Sequence, residues 1–497
     1  MLQDRNIGQM QNNSERLSTQ LGRRGYSIDK NKAGELLVEK LKQQLTVKPA
    51  ANPDFGEPTP FPVWRESDKR LYIPRNFGLD MFGAPYKNKM HTGVDAPRLR
   101  FQGQLRDEQR EPVEKFLSAA RDPMRGGGVL ELPTGFGKTS CALYIACALG
   151  KRTMVICHKE FLVNQWVERI QQFIPDARIG IVRQKRCEVE GYDIVIASLQ
   201  SIAMRDYPEG SFDTVGFVIV DEAHHIAAEV FSQALPKVTS AVMLGLSATL
   251  RRKDGLTKVI HWFMGNTVHS IRTRKDVTNV EVQVYKYYDP HPEYGREIVL
   301  FRDKLCIPKM MNAVCAFAPR NNTLVNEIVR IKKSEPSRVF LILSDRRGHL
   351  EDLKYRIDLH NMGTSGYYVG GMRQIDLDET ARGCDFIFAT NAMAAEGLDI
   401  PRLDTLVLAT SSADVTQAVG RILRGHGARK VHPLVLDFVD NFSIFQRQFY
   451  KRSTYYKRNG YKINFLNDDA AQQRSDAFDA GIELQPQQPK ITFRDDE

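Results

Sequence analysis

Short apolar runs rich in Val, Ile and Leu recur from residue 129 onward: Val129–Leu132, Met154–Cys157, Ile194–Ala197, Phe217–Val220 and Met243–Leu246. Runs without in-and-out alternation mark strands buried on both faces. Segments of helical length and polarity separate most of them, and strands alternating with helices specify a parallel α/β sheet. The same texture returns at Val339–Leu343, Phe386–Ala389, Leu406–Ala409 and Leu434–Leu436. At ~100–200 residues per domain, a chain of 497 residues is too long for one core. The expectation is two tandem α/β domains, residues 101–272 and 273–445, joined near 270–285. A small N-terminal accessory domain (1–100) precedes them, with an amphipathic helix at Glu35–Leu45 and a Pro-rich, aromatic-bearing stretch from Pro49 to Pro74. A basic aromatic segment with a C-terminal helix (446–465) comes after them, then an acidic tail (466–497) with too little apolar content to order itself.

Composition closes off several classes. Hydrophobic residues are 42% and charged residues 26% of the chain, which excludes a collagen-like or wholly disordered polymer. No run approaches the ~20 apolar residues of a membrane span, and MLQDRNIGQMQNNSER has no apolar segment of the secretory kind. The cysteines at 141, 147, 157, 187, 306, 315 and 384 form no Cys-x-x-Cys pair, and four of them (141, 147, 157, 384) sit in apolar stretches. Buried free thiols in a reducing, intracellular compartment are expected, not a disulfide framework or a metal site. The net charge is +10. From Leu466 onward eight acids face three bases, so the tail carries −5 and residues 1–465 carry +15. That excess permits a polyanionic partner.

The first chemical signal comes directly after the first strand. Leu132–Ser140 reads LPTGFGKTS and precedes Cys141–Leu149, whose Cys141, Ile145 and Ala148 have helical spacing. In that context Pro133, Thr134, Gly135, Phe136, Gly137, Lys138, Thr139 and Ser140 would form a phosphate-binding loop. Its glycines let N–H groups curl around phosphate oxygens, the helix adds its positive end, and Lys138 adds a point charge. The Thr139 hydroxyl would ligate Mg2+. The G-x-x-x-x-G-K-[ST] pattern asks for Gly at 132, where this chain has Leu, so a chance Gly-rich turn stays open on this segment by itself. The second signal is Asp221-Glu222-Ala223-His224 at the end of Phe217–Val220, expected on the strand next to the one bearing the loop. Asp221 would hold the ion through water, and Glu222 would activate the water that attacks the γ-phosphate. The bland alternative is a capped strand end with two solvated acids. Ser247-Ala248-Thr249 comes after the next strand and matters through its order in the chain.

In the second domain Asn391–Pro401 (NAMAAEGLDIP) succeeds a strand, and Asp414–Gly425 reads DVTQAVGRILRG. On a helix Gln417, Arg421 and Arg424 share a face. Arginine bridges phosphate oxygens and stabilises charge that grows during phosphoryl transfer. Lys138 and Glu222 in one domain with Arg421, Arg424 and Gln417 in the other would make catalysis depend on closure.

Taken in order, these blocks resemble a superfamily 2 helicase with two RecA-like domains, over roughly residues 100–440. The resemblance implies ATP and Mg2+ as cofactors. It implies that Arg106 and Gln109, in Leu105–Gln109 (LRDEQ), contact the adenine. It also implies that His158–Trp166 (HKEFLVNQW) and Ala197–Ser201, with Ser198 and Gln200, grip one nucleic-acid strand. His224, Ser247 and Thr249 would couple hydrolysis to movement. In domain two Ser344-Asp345-Arg346, Val369–Met372 and Thr390 look like further strand-gripping elements, and Thr390, Glu396, Gly397 and Asp399 match the motif before the arginine helix. Leu246–Gly255 (LSATLRRKDG) is similar to the XPB-type DNA translocases, with Arg252-Lys253-Asp254 where that type has Arg-Glu-Asp. Pro62–Gly78 and Phe438–Tyr461 resemble segments of the XPB-like helicases of large DNA viruses, including the poxvirus type associated with transcript release.

The resemblance implies an ATP-dependent DNA helicase or translocase, moving 3′ to 5′, with DNA (single strand, fork or duplex) as partner. Transcript release, replication and recombination are its candidate pathways. It would act as a monomer in the cytoplasm, a viral factory, a virion or the nucleus, with no membrane partner. An RNA helicase, or one working on a transcription complex, is the near rival, and a non-enzymatic nucleic-acid scaffold the distant one. Arg447–Lys462 carries six bases and no acid among five aromatic rings. Lys451, Arg452, Lys457 and Arg458 are its candidate phosphate contacts. The competing reading packs Phe438, Phe442, Phe445 and Phe449 from one helix into domain two.

Overall fold

Each of the nine apolar runs overlaps a strand of the computed structural model, to within one residue at an end, and the structure describes residues 15–50, 58–133, 135–223, 228–248, 250, 255–271, 280–292, 294–300, 304–396, 398, 400–423 and 431–467. The chain divides into two units, Met1–Thr273 and Arg274–Glu497. Within each, the missing alternation has a direct cause. Along Phe217–Val220, Phe217 and Ile219 join one hydrophobic core while Val218 and Val220 join another. Along Phe340–Ser344, Phe340 and Ile342 face one core while Leu341 and Leu343 face its opposite. A strand whose odd and even residues both meet apolar partners reads as a continuous run.

In the first unit, short N-terminal strands come first: β1 (Gln20–Gly22), β2 (Gly25–Asp29), β3 (Thr46–Val47), β4 (Phe61–Pro62), β5 (Arg65–Glu66), β6 (Arg70–Ile73) and β7 (Lys87–Asn88). Five of them form a sheet in the order β5-β6-β2-β1-β7, antiparallel apart from the β1–β7 pair. The expected helix runs Glu35–Gln44. Residue 100 is not a break in packing, because Leu21, Tyr26, Ile28 and Leu71 share one core with Val129, Met154 and Val218. Arg75, 2% exposed, ties the two parts. Its guanidinium donates to the carbonyls of Met124 (2.6 Å), Ser240 (3.0 Å) and Ala241 (3.1 Å).

The larger sheet of this unit comprises β8 (Gly127–Glu131), β9 (Thr153–Cys157), β10 (Ile179–Arg183), β11 (Arg186–Cys187), β12 (Ile194–Ser198), β13 (Phe217–Val220), β14 (Val242–Ser247) and β15 (Thr267–Ser270). Its order is β11-β10-β12-β9-β13-β14-β8-β15, parallel apart from the β10–β11 hairpin. The expectation that Asp221 follows the strand beside β8 needs correction. β14 lies between β13 and β8 and pairs with both, so the strand ending at Ser247 separates the phosphate-loop strand from the acidic one.

The second unit opens with β16 (Glu281–Tyr287) and a small hairpin, β17 (Val299–Leu300) and β18 (Lys304–Leu305). Its main strands are β19 (Phe340–Ser344), β20 (Ser365–Tyr368), β21 (Phe386–Thr390), β22 (Thr405–Leu408), β23 (Leu434–Asp440) and β24 (Lys462–Phe465). They form an all-parallel sheet with β16, ordered β20-β21-β19-β22-β23-β16-β24. Residues 446–465 are therefore part of this domain and not a separate segment. The C-terminal helix runs Ser443–Arg458, and β24 pairs with β16. Of the four phenylalanines expected on that helix, Phe438 lies on β23 and Phe442 caps it, while Phe445 and Phe449 lie on it. The tail from 468 lies outside the described residues. All seven cysteines are free; Cys141, Cys157 and Cys306 are buried, whereas Cys147 and Cys384 are half-buried.

Two aspartates of β23 are fully buried, each against an arginine. Arg452 donates to Asp437 at 2.8 and 2.9 Å, and the Tyr456 hydroxyl donates to the same carboxylate at 2.9 Å. Arg320 donates to Asp440 at 2.8 and 3.0 Å, joined by the Tyr294 hydroxyl at 2.7 Å. Removing one partner strands the other charge in the core and costs about 3–5 kcal/mol. Arg452→Ala should therefore lower the unfolding free energy of the protein by about that amount in a denaturant titration. Lys451→Ala, next to it but exposed, should stay within about 0.5 kcal/mol of the parent.

Candidate active site

The phosphate loop is shaped by its glycines and braced from behind. Gly135 and Gly137 have φ of 76° and 87°, the left-handed region that glycine enters without steric cost. A Cβ on Gly137 would lie 2.4 Å from Gln109 Nε2 and 2.9 Å from Ser140 Oγ. The loop leads into the helix Lys138–Leu149, whose first N–H groups and dipole favour an anion. Leu132, at the position where the pattern has Gly, is fully buried in the sheet core, so the departure falls on the core side of the loop. Arg106 and Gln109, expected at the adenine, both donate to the Phe136 carbonyl, Gln109 at 2.8 Å. Phe136 itself is 3% exposed. Ser140 Oγ donates to the Gly137 carbonyl at 2.9 Å, closing the first turn. Pro133 and Thr139 are half-buried, and Thr134 lies outside the described residues.

The acids stand across from this loop. Lys138 Nζ is 3.4 Å from Glu222 Oε1 and 3.4 Å from the Leu132 carbonyl. Glu222 has φ of 46°, a left-handed conformation that a non-glycine residue adopts at a cost. Asp221 is 8% exposed. Its Oδ2 accepts the Trp166 indole N–H at 2.9 Å and its Oδ1 accepts the Glu222 backbone N–H at 2.9 Å. Burial, and then the nearby charge of Glu222, raise its carboxyl well above the usual aspartate range, as expected for an anion held where a cation would relieve it. Ser247 is fully buried, and its carbonyl accepts the Leu132 N–H at 2.9 Å. His224, Thr249 and Arg252 lie outside the described residues.

These groups fit a magnesium triphosphate. The loop and Lys138 would take the phosphates, while Thr139 and Asp221 would offer Mg2+ two protein oxygens and leave the rest to phosphate and water. No cluster of three or more His, Cys, Asp or Glu is found among the described residues. The remaining candidates of this unit, Ser198 at the end of β12 and the exposed Gln200 beyond it, lie at the same strand-end edge.

In the second unit the strand ends gather the other motifs. The Asn391 amide donates to Asp345 at 2.7 Å, joining the segment after β19 to the helix Asn391–Glu396 that begins after Thr390. Thr390 Oγ1 accepts the Met393 N–H at 3.4 Å. Gln417 and Arg421 lie on the helix Thr416–Ile422. Arg421 is 5% exposed, and its Nε donates to the Ala394 carbonyl at 2.7 Å. Arg424, Gly397 and Asp399 lie outside the described residues. Of the four candidate phosphate contacts on the C-terminal helix, Lys451, Lys457 and Arg458 are exposed. Arg452 must be withdrawn, because it is 1% exposed and committed to Asp437, to Ser411 Oγ (3.2 Å) and to the Ser412 carbonyl (2.5 Å). Its work is to hold the loop that enters the arginine helix. Tyr456 and Tyr461 are also buried, which leaves Tyr450, 75% exposed, as the ring open to solvent on that helix.

Residues 102–252 match the family described as Type III restriction enzyme, res subunit. Over 462 residues the chain is 32% identical to "Putative ATP-dependent RNA helicase L396" of Acanthamoeba polyphaga mimivirus, covering 90% of this chain and 86% of that protein. The chain belongs to the superfamily 2 helicases of large DNA viruses. This helicase is also 27% identical to "Putative helicase 161L" of Invertebrate iridescent virus 6, over 87% of this chain and 97% of the relative. Among solved structures it is similar to the ATP-dependent Type ISP restriction-modification enzyme LlaBIII bound to DNA. The TM-score is 0.51 at 16% identity, over 76% of this chain and 32% of that one. That likeness is one of fold, with RecA-like parallel-sheet domains. The helicase is an ATP-using, nucleic-acid-binding enzyme of its family.

Sequence reasoning missed three of the helicase's supporting groups. Trp166 reads as part of a strand-gripping segment, yet it points into the core and onto Asp221. Glu131, at the end of β8, accepts the Leu250 N–H (3.1 Å) and the Ser270 hydroxyl (2.5 Å), holding the chain beyond Ser247. His349 lies beneath the Ser344-Asp345-Arg346 segment, with Nδ1 2.9 Å from Ser344 Oγ and Nε2 3.0 Å from Asn321 Oδ1. Burial, then the charges of Arg320 and Arg356, lower its pKa to about 3. The unfolded chain takes up this proton near pH ~6.5 while the fold refuses it, so stability is complete above that pH and declines as pH falls below it. Between pH 7 and pH 5 His349 should account for roughly 2 kcal/mol of lost unfolding free energy. His349→Asn, less stable at pH 7, should show a flatter dependence across that interval in urea titrations.

Proposed function

We propose that this helicase is a Mg2+-dependent, ATP-driven DNA translocase moving 3′ to 5′, its hydrolysis completed by Arg421 and Arg424 of the second domain. The observation that carries the reading is the pairing of the glycine-shaped loop with two acids of unequal setting. Asp221 is buried and fixed at both oxygens, while Glu222 stands 3.4 Å from Lys138. A fixed carboxylate suits a metal, and a carboxylate beside the phosphate lysine suits a general base. Mg2+, when bound, would neutralise phosphate charge. Lys138 would hold the outer phosphates, and Glu222 would take the proton of the attacking water. Glu222→Gln should lower kcat by about 10²–10⁴ while retaining ATP binding. Lys138→Ala should lose both, measured by steady-state hydrolysis and by equilibrium binding of a fluorescent ATP analogue. Hydrolysis that survives Glu222→Gln would refute the assignment.

DNA as the track is supported by the resemblance of Leu246–Gly255 to the XPB-type translocases. The name of the mimivirus relative favours RNA instead. ATPase stimulation compared over single-stranded DNA, forked DNA, duplex DNA and RNA, with Glu222→Gln as control, separates the two. The solvent face of the C-terminal helix presents Arg447, Tyr450, Lys451, Thr454, Lys457 and Arg458 at helical spacing, without an acid. We assign this face to the nucleic-acid backbone. Neutralising Lys451, Lys457 and Arg458 together should weaken binding for every sequence alike. It should also flatten the logarithmic salt dependence by about one unit per lost phosphate contact.

A further inference from the structure

Buried aspartates in this protein are treated in two ways. Asp437 and Asp440 are each neutralised by an arginine at 2.8–3.0 Å. Asp221, nearly as deep, has no arginine bound to its carboxylate among the described residues; the Lys138 charge reaches it without a direct hydrogen bond, and its side-chain donor is the neutral Trp166 indole at 2.9 Å. The difference has a chemical meaning. A guanidinium would fix the carboxylate and also cancel its charge, leaving nothing for a metal. An indole N–H fixes one oxygen and leaves the negative charge in place. The Glu222 N–H fixes the other oxygen, so the carboxylate plane is set before any cation arrives. Trp166 is itself packed in place, being 2% exposed on the helix Glu160–Phe173 within the core that also holds Val155, Cys157 and Ile219.

We propose that Trp166 is the positioning residue of the metal site. Its indole N–H holds the Asp221 carboxylate in the orientation that binds Mg2+, and so sets the affinity of the nucleotide site for the ion. The proposal rests on the reading of Asp221 as the metal-holding acid and extends it to a residue that touches neither nucleotide nor metal. Supporting partners of this kind typically change metal affinity by about 10- to 100-fold when removed.

Trp166→Phe keeps an aromatic ring in the core and deletes the donor. Binding of a fluorescent ATP analogue is titrated with MgCl2 from an EDTA-treated start, and the Mg2+ concentration at half-saturation is read. The expected result is an increase of about 10- to 100-fold for Trp166→Phe, with analogue binding in EDTA unchanged. In steady-state hydrolysis the apparent KM for Mg2+ should rise more than kcat falls. Asp221→Asn should abolish the Mg2+ dependence altogether, and Trp166→Phe added to it should change nothing further. If Asp221→Asn keeps a normal Mg2+ response, the metal reading of Asp221 falls. If Asp221→Asn loses the response but Trp166→Phe keeps the parental half-saturation, only the role of Trp166 falls. Should Trp166→Phe not fold, the parent protein still decides. It has three tryptophans, so 15N-tryptophan labelling gives three indole N–H resonances. One should shift with ADP plus Mg2+ and not with ADP in EDTA; three unmoved resonances would overturn the proposal.

Discussion

A parallel sheet covered on both faces has a single place to put chemistry. Its faces are consumed by packing, as Phe217–Val220 and Phe340–Ser344 show by sending alternate residues into opposite cores. Its backbone groups are spent in the ladder. What remains is the edge where the strands end, and all strands of a parallel sheet end on the same edge. The phosphate loop, Asp221, Ser198 and Ser247 share that edge in the first unit, and Asp345 and Thr390 share it in the second. The fold thus gathers residues far apart in the chain without any of them needing to attract the others.

The insertion of β14 between β8 and β13 refines this picture. The strand that carries Ser247 is hydrogen-bonded to the phosphate-loop strand on one side and to the acidic strand on the other. Its carbonyl also anchors Leu132, the first residue of the loop. A displacement at the end of β14 would reach both halves of the nucleotide site through backbone contacts.

Much of this was legible in the residues because strands buried on both faces and glycine-shaped loops leave strong marks. The nine runs, the helix after the loop and the acidic strand end needed no knowledge of distant contacts. The strand order did not show, since neighbouring strands in such a sheet are chosen by crossover geometry and not by composition. β16 (EVQVYKY) and β24 (KINF) did not show as continuous runs because polar residues interrupt both. Arg452 looked like its exposed neighbours Lys451 and Lys457, for nothing in a run of bases says which one faces inward. Only the aspartates of β23, which interrupt an otherwise apolar strand, hinted that buried cations had to exist. Trp166 carried no signal at all beyond its type.

The position of β24 bears on synthesis. β16 lies between β23 and β24, strands that come after it by roughly 150 and 180 residues. A ribosome therefore releases β16 long before either partner exists. β16 therefore stays unpaired until roughly 150 further residues have been made, and its second neighbour comes about 30 later, so this domain depends on long-range contacts that form slowly.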